Sequence, residues 1–264
     1  MIDQARRLSF GSVADAYDAW RPDYPAELVD DLIEYAGCPP GAEVLEIGAG
    51  TGKATRMFCA RDLSVVAVEP DGEMAAVASR QAATAGHSVR IIHSDFESAA
   101  LPAGAFPLAY SAQAWHWIEP QTGYVRAHGL LRPGGVLAAF WNRVDWTRCP
   151  IREELQAAYQ ESGVGEVQLG PMHPGVSSAP RTTEEWHPEL ARAAGFTHTG
   201  LRRYERELRY TAAEYVALLG THSDTILLAP DVRQELLERV SQTIERHGGV
   251  LELSVPTVLC VARL

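Results

Sequence analysis

A glycine-rich turn behind an apolar segment is the part of this sequence best suited to binding a small ligand. Residues 44–47 have the mostly apolar character of a buried strand, residues 48–52 read Gly-Ala-Gly-Thr-Gly, and a helix is predicted after Lys53. Glycines permit the unusual dihedral angles of a tight turn and let a ligand lie directly against the backbone. At the carboxyl end of a first parallel strand, such a turn indicates a site for a nucleotide-like ligand.

The spacing of the turn narrows the choice of ligand. A phosphate-binding loop needs Gly-x4-Gly-Lys followed by Ser or Thr. Here Gly48 and Gly52 are one residue too close, and Ala54 follows Lys53. A dinucleotide fingerprint needs a third glycine three residues after the second, and Lys53 occupies that position. The turn therefore matches neither the ATP pattern nor the nicotinamide dinucleotide pattern.

Acidic residues follow the next two predicted strands. Residues 64–68 lead into Glu69-Pro70-Asp71. An acidic side chain about 20 residues beyond the glycine turn can accept hydrogen bonds from both hydroxyls of a ribose. The third predicted strand, residues 89–93, leads into Asp95 and Phe96. Glu69 is therefore the candidate ribose ligand, and the alternative is a solvated loop carboxylate.

Two segments carry a resemblance to a known family. E-I-G-A-G-T-G at residues 46–52 resembles the first motif of the class I S-adenosylmethionine-dependent methyltransferases, and S-A-Q-A-W-H-W at residues 111–117 resembles the loop beside the methyl group in small-molecule members. The resemblance is specific over residues 44–142 and looser at residues 9–25 and 204–264. It implies a doubly wound, Rossmann-like α/β fold with a seven-stranded sheet, an N-terminal helical element and helical lid insertions.

The resemblance also implies S-adenosylmethionine as the cofactor. In the family, the position of Asp95 bonds the adenine amino group and that of Phe96 packs on the ring. Tyr17 and Arg21, in Y-x3-R-P-x-Y-P, would reach the methionyl carboxylate, which suits a bidentate arginine; alternatively, the pair only anchors the N-terminal helix. The predicted cofactor-binding residues are Tyr17, Arg21, Glu46, Gly48, Ala49, Gly50, Thr51, Glu69, Pro70, Asp95, Phe96, Ser111, Ala112 and Gln113.

His116 is the candidate catalytic residue. Methyl transfer mainly needs alignment of donor and acceptor, and for some acceptors the removal of one proton. His116 follows the fourth predicted strand, and the unperturbed pKa of histidine lies near neutrality. The alternative is that it forms only a wall or cofactor contact. The candidate substrate-binding residues, each of which could instead be purely structural, are Trp20, Tyr24, Trp115, Asn142, Trp146 and His222, with Arg143 beside them.

Composition limits the kinds of partner. With 264 residues, 46% of them hydrophobic, the chain can bury one α/β core with additions. A net charge of −11 argues against a nucleic-acid partner.

Four cysteines without paired metal-ligand spacing predict no metal site and a reducing, cytoplasmic location. No run approaches the roughly 18 apolar residues of a membrane helix. We expect a small-molecule acceptor, no membrane partner, and a monomer or homodimer.

The chain divides into four predicted parts. Residues 1–38 form an N-terminal helical cover, residues 39–142 the cofactor-binding core, residues 143–198 and 211–249 a helical lid, and residues 199–210 and 250–264 the last strands of the core sheet. Helices are predicted near residues 151–162, 183–194, 212–220 and 231–247, with a Gly/Pro/Ser-rich stretch at 163–180. The alternative to a lid is that these segments complete the back of the sheet.

The predicted function is methyl transfer from S-adenosylmethionine to oxygen, nitrogen or carbon of a small organic acceptor, either a carboxylate or an aromatic or apolar metabolite. Two alternatives remain open: a non-catalytic S-adenosylmethionine-binding partner protein and a nicotinamide-dependent oxidoreductase. An open apolar cavity above the methyl group would favour an enzyme, whereas bulky walls would favour a binding protein.

Overall fold

A seven-stranded sheet forms the centre of the fold in the computed structural model, which describes residues 10–164 and 186–264. The strand order is β3-β2-β1-β4-β5-β9-β6, and a separate two-stranded sheet pairs β7 with β8. The strands are β1 (Glu43–Ile47), β2 (Ser64–Glu69), β3 (Val89–His93), β4 (Phe106–Ala112), β5 (Leu131–Asn142), β6 (His198–Tyr204), β7 (Glu207–Thr211), β8 (Val250–Ser254) and β9 (Thr257–Arg263).

Helices separate the first five strands, except that residues 94–105 between β3 and β4 contain none, and further helices cluster late in the chain. The helices are α1 (Ala14–Trp20), α2 (Ala26–Ala36), α3 (Lys53–Cys59), α4 (Gly72–Ala85), α5 (Pro120–Leu130), α6 (Arg152–Glu161), α7 (Pro188–Ala193), α8 (Ala212–Leu219), α9 (Ser223–Ile226) and α10 (Pro230–Arg246). None of these described helices is both long and apolar enough to cross a membrane.

Strands β1 to β5 are parallel, and their central members are buried on both faces. Alternate residues of β1 and β2 therefore enter two different hydrophobic clusters: Leu45 and Val66 on one face, Val44 and Val65 on the other. Near-continuous apolar runs are what a sheet covered by helices on both sides requires. The predicted doubly wound α/β fold is confirmed.

The strand order reverses between β1 and β4, since the chain leaves β1 towards β2 and β3 and later returns on the other side. At such a switch point, the connections after the two strands diverge and leave a crevice at the carboxyl ends of the strands. The glycine turn after β1 and the loop after β4 border this crevice. The topology thus brings the two sequence motifs together.

The prediction of a single strand over residues 199–210 is wrong, because the structure has two strands there. β6 pairs with β9 in the large sheet, whereas β7 pairs with β8 in the small sheet. The same antiparallel register runs through both pairs and is interrupted at Pro256, which has no amide hydrogen to donate. β8 likewise leaves the core sheet, so only the end of the predicted 250–264 segment belongs to it. Polar and apolar residues continue to alternate between β6 and β7, so the sequence pattern does not indicate that the strand is interrupted there.

The late helices form a hydrophobic cluster of their own with the small sheet. Leu155 of α6, Leu219 of α8, Leu236 of α10 and Leu253 of β8 are all buried in it. α8 begins with a capping box, in which Thr211 and Glu214 bond each other's backbone amides. The helix predicted at 183–194 is described only from Pro188 to Ala193, and residues 165–180 of the glycine-rich stretch lie outside the described residues.

Candidate active site

A cavity of about 520 Å³ opens at the carboxyl ends of the parallel strands. Gly48 after β1, Glu69 at the end of β2, Ala112 at the end of β4 and Asn142 at the end of β5 all line it. Its volume falls within the roughly 300–1,000 Å³ usual for small-molecule sites. Helix α1 and the late helices close the opposite side.

The glycine turn has the backbone conformation that its sequence predicts. Gly48, Gly50 and Gly52 have φ values of +72°, +56° and +81°, in the left-handed region. A Cβ atom on Gly48 would lie 2.4 Å from the Cβ of Ala114, so the turn packs directly against the loop after β4. The amides of Gly48 and Ala49 donate to the carbonyl of Val68 on β2. The turn is thus held between two neighbouring strands, with its backbone along the cavity.

Glu69 is held in the cavity wall by two backbone amides. Its Oε2 accepts from the amide of Gly50 at 2.7 Å, and its Oε1 accepts from the amide of Asp71 at 2.9 Å. Each carboxylate oxygen can accept a second hydrogen bond. The carboxylate is therefore oriented at the cavity wall before a ligand arrives.

Asp71 connects the glycine-turn side of the cavity to the N-terminal segment. Its Oδ1 accepts from the amides of Glu73 and Met74 and caps α4. Its Oδ2 accepts from the amide of Gly11 at 3.1 Å. Phe10 and Met74, which were not predicted from the sequence, line the cavity beside it.

Glu46 is a buried carboxylate with one oxygen satisfied and one not. Its Oε2 accepts from the Thr55 hydroxyl at 2.5 Å and the Tyr110 hydroxyl at 3.0 Å. Its buried Oε1 has no hydrogen-bond partner among the described residues. Burial raises the pKa of this carboxyl to about 7, because an apolar environment disfavours the charged form. A cationic donor arriving from the cavity would satisfy the open oxygen.

His116 lines the cavity, and one hydrogen bond determines which of its ring nitrogens carries the proton. The indole Nε1 of Trp141 donates to His116 Nδ1 at 3.2 Å. Because an indole nitrogen can only donate, Nδ1 must be unprotonated and the proton of the neutral ring is on Nε2. Burial, with a further contribution from the charge of Arg143, lowers the pKa of His116 to about 4. The ring is therefore neutral near pH 7, and the lone pair of Nδ1 is already used.

Arg21 joins the end of helix α1 to the segment between α8 and α9. Its Nε donates to the Thr221 hydroxyl at 2.9 Å and its Nη2 to the Thr221 carbonyl at 3.0 Å. The guanidinium lies 5.0 Å from the centre of the Tyr17 ring. Both Tyr17 and Arg21 line the cavity, and both also hold α1 in place. The structure thus shows the anchoring contacts, and contact of this pair with a methionyl carboxylate stays a prediction.

The side chains of Gln113 and Asn142 are held in place by hydrogen bonds to backbone carbonyl groups. Gln113 has φ +61°, a left-handed conformation that is uncommon for a residue with a side chain and that occurs at functional sites. Its side-chain amide donates to the carbonyl of Asn142 at 3.3 Å. Asn142 in turn donates to the carbonyls of Pro22 and Asp23 and accepts from the Thr257 hydroxyl. These contacts connect the loop after β4, the end of β5 and the N-terminal cover.

The structure brings most of the predicted site residues to the cavity. Besides those described above, it is lined by Thr51, Pro70, Phe96, Ala112, Tyr24, Trp146 and His222.

Four predicted residues lie outside the cavity wall. Trp115 is 2% exposed and packs on Tyr124 in the core, because the short 3-10 helix at Trp115–Trp117 turns it inwards and leaves His116 and Trp117 at the cavity. Ser111 is fully buried, and its hydroxyl donates to the carbonyl of Ile47. Trp20 is 39% exposed at the end of α1. Asp95 is exposed because its neighbour Phe96 turns into the core.

The apolar end of the cavity is formed by residues that were not predicted from the sequence. We call this region the apolar arm and define it by Tyr159, Tyr215, Leu218, Leu219, Leu236 and Leu253. These residues come from α6, α8, α10 and β8, and they also belong to the hydrophobic cluster of the late helices. Amphipathic periodicity identifies the buried faces of those helices. It does not indicate which buried residues border a cavity.

Comparisons with known proteins agree with this architecture. The family described as "Methyltransferase domain" matches residues 45–139. An uncharacterised methyltransferase of Mycobacterium tuberculosis is 31% identical over 258 residues, covering 96% of this chain and 94% of its own.

Solved structures share the fold. A putative type II methyltransferase from Anaeromyxobacter dehalogenans superposes with a TM-score of 0.60 at 24% identity, over 92% of this chain and 97% of its own. A Haemonchus contortus phosphoethanolamine N-methyltransferase in complex with S-adenosyl-L-methionine gives a TM-score of 0.54 at 14% identity, over 96% of this chain and 57% of its own. The mycobacterial relative is similar over nearly the whole of both chains, and the glycine turn and the strand order agree with that similarity. The chain belongs to the class I S-adenosylmethionine-dependent methyltransferases.

Proposed function

We propose that this methyltransferase binds S-adenosylmethionine along the glycine turn and transfers its methyl group to a small organic acceptor held in the apolar arm. The observation that carries the proposal is a single cavity lined both by the glycine turn with Glu69 and by the apolar arm. An apolar compartment next to a few convergent polar groups is the usual form of a small-molecule site. This compartment favours a catalytic role over the non-catalytic binding alternative.

The residues present fit the cofactor. Glu69 would accept the ribose hydroxyls, since its carboxylate is already oriented by two backbone amides. Glu46 would accept the methionyl ammonium, since its Oε1 is buried and without a partner among the described residues. Arg21 would attract the methionyl carboxylate, and the glycine turn would border the cofactor, since Gly48 and Gly50 line the cavity. When bound, S-adenosylmethionine supplies an electrophilic methyl group on a sulfonium.

The protein's own contribution to the reaction is alignment and exclusion of water. The N-terminal cover and the late helices are joined over the cavity by the bonds from Arg21 to Thr221. A closed apolar compartment holds donor and acceptor together and strengthens the electrostatic contacts inside it.

Calorimetric titration of the protein with S-adenosylhomocysteine and with NAD tests the cofactor assignment. We expect micromolar-range binding of S-adenosylhomocysteine and weaker or absent binding of NAD, because Lys53 stands where a dinucleotide fingerprint has its third glycine. Tighter binding of NAD would contradict the proposal.

We expect cofactor binding to be linked to the protonation of Glu46. The free carboxyl has a pKa of about 7, so it is largely protonated at pH 6. An ammonium bound beside it would lower that pKa, so binding at pH 6 should release close to one proton and affinity should rise as pH approaches about 7. The released proton can be measured by titrating S-adenosylhomocysteine at pH 6 in buffers of different ionisation enthalpy.

Glu46→Gln is the matched variant for this experiment, since glutamine keeps an oxygen that Thr55 and Tyr110 can donate to. It should bind more weakly at pH 7 and show no proton release. Release of a proton from the variant, or none from the wild type, would exclude Glu46 as the ammonium ligand.

A further inference from the structure

We infer that the methyl acceptor is an organic acid with an apolar body, methylated on its carboxylate oxygen, and that His116 and Arg143 hold this carboxylate. In this arrangement His116 donates a hydrogen bond through Nε2 and removes no proton. The inference rests on the proposed function, because it names the acceptor that would occupy the same cavity. It is carried by the bond between Trp141 and His116, by the charge of Arg143 and by the apolar arm.

The direction of the Trp141 hydrogen bond determines what His116 offers to a ligand. The indole of Trp141, on β5, donates to Nδ1, so the ring nitrogen that carries hydrogen is Nε2. Trp141 is 2% exposed and is packed in the core below the cavity. A buried partner of this kind maintains one tautomer, because the other would place two N–H groups against each other. His116 is therefore a neutral hydrogen-bond donor, and Trp141 fixes its tautomer before a ligand binds.

Arg143 adds a positive charge at the same part of the cavity wall. Its guanidinium carbon lies 5.8 Å from the centre of the Trp141 ring, and its charge acts on His116. Both Arg143 and His116 line the cavity. A guanidinium beside a neutral N–H donor is suited to an anionic oxygen, since hydrogen bonds between charged partners are about twice as strong as neutral ones.

The apolar arm accounts for the rest of the acceptor. Val144 and Trp146 follow Arg143 along the chain and line the cavity towards Tyr215 and Leu236. No charge is present on these four side chains, so an acceptor whose anionic end meets Arg143 would place its apolar body here. The chemistry recognised is that of an aliphatic or aromatic carboxylic acid.

A carboxylate also needs no base. It is already ionised at neutral pH, since the usual pKa of a carboxyl group is about 4. An oxygen lone pair forms the new bond to the methyl carbon, the electron pair of the breaking C–S bond passes to sulfur, and the products are a methyl ester and a neutral thioether. No proton is released. A phenol or an ammonium would first have to lose a proton, and the Nδ1 lone pair of His116 is occupied by Trp141.

The second histidine of the cavity does not supply that base either. His222 lines the cavity near Arg21, and burial, together with the charge of Arg21, holds its pKa well below the usual range for histidine. A weakly basic ring is poorly matched to taking a proton from a phenol or an ammonium. Both histidines therefore favour an acceptor that is already deprotonated.

The test measures ligand binding to the protein saturated with S-adenosylhomocysteine. The probes are straight-chain acids from butanoate to dodecanoate, with phenylacetate and phenylpropanoate, each compared with its matched primary alcohol and amine. We expect at least one acid to bind about tenfold or more tightly than its alcohol and amine, as a charge-assisted contact predicts. If no acid in the panel is preferred over its matched neutral and cationic analogues, the inference is overturned.

Arg143→Gln separates the acid site from the cofactor site. It should abolish the preference for acids while leaving the affinity for S-adenosylhomocysteine unchanged. Arg209→Gln is the control, because Arg209 lies on β7, pairs with Glu252 and does not line the cavity. A persisting preference for acids in Arg143→Gln would exclude Arg143 as the carboxylate ligand.

Nitrogen spectra of isotope-labelled histidine test the role of His116 without any reaction. The wild type should show His116 as the Nε2–H tautomer at pH 7, both free and with the acid bound. Trp141→Phe should give a mixture of tautomers and weaker acid binding, with the affinity for S-adenosylhomocysteine retained. An Nδ1–H tautomer or an imidazolium in the wild type would refute the donor role, whether or not the Trp141→Phe variant folds.

The same experiments distinguish the two levels of the proposal. If S-adenosylhomocysteine does not bind, the proposed function fails. If it binds, and labelled methyl passes to the amines of the panel rather than to the acids, the function stands and only the inference about the acceptor fails.

Discussion

Glu69→Ala is expected to lower the affinity for S-adenosylhomocysteine by about a hundredfold or more. The variant removes two hydrogen bonds to an ionised acceptor, each contributing about 1.5–3 kcal/mol in a site sheltered from water. It also leaves the amides of Gly50 and Asp71 without the oxygens that they bond in the wild type. Calorimetric titration, with circular dichroism to check the fold, measures the effect.

Two further variants make this result specific. Glu73→Ala removes an exposed carboxylate four residues along, which does not line the cavity, and should bind as the wild type does. Glu69→Gln should lie between the alanine variant and the wild type, because one side-chain oxygen remains to accept a hydrogen bond. Unchanged affinity in a natively folded Glu69→Ala protein would show that the ribose does not bind at Glu69.

Gly48→Ala should abolish cofactor binding and destabilise the fold by about 2–5 kcal/mol. Part of the cost, about 1–2 kcal/mol, is the left-handed conformation of this residue, whose φ is +72°. The remainder, about 1–3 kcal/mol, is overpacking, since the new Cβ would lie 2.4 Å from the Cβ of Ala114. Chemical denaturation measures the stability, and titration with S-adenosylhomocysteine measures binding.

Gly134→Ala is the matched control for Gly48→Ala. Gly134 has φ +76°, nearly the same as Gly48, but a Cβ atom there would meet nothing within 4 Å. This control should therefore lose only the conformational part of the stability and should bind the cofactor normally. Equal losses of stability in the two variants would mean that the packing of the turn on Ala114 is unimportant.

The first five strands and the glycine-turn side of the cavity could be predicted because their signals are local. An apolar strand, a glycine turn and a following helix are adjacent along residues 44–59 and form one unit regardless of the rest of the chain. Glu69 comes at the end of the next strand, so the parallel pairing of β1 with β2 brings it to the turn. Here, chain order and spatial order coincide.

Individual side chains near the motifs were harder to predict, because neighbouring residues point in different directions. Trp115 and His116 are consecutive, yet one is in the core and the other at the cavity. Asp95 and Phe96 also diverge after β3, since Phe96 is buried and lines the cavity whereas Asp95 is exposed outside it. A motif places a loop, but the torsion angles within that loop determine which of its side chains reaches the ligand.

Local residue patterns were sufficient to identify the family, the parallel sheet and the position of the glycine turn, since these depend on short-range patterns of apolar residues and glycines. The protonation pattern of His116 depends instead on the fold, because its partner Trp141 comes from a neighbouring strand 25 residues away. The apolar arm was decided in the same way, by helices α6, α8 and α10 meeting the small sheet. Contacts between distant segments depend on how whole elements pack, and local residue patterns do not encode that packing.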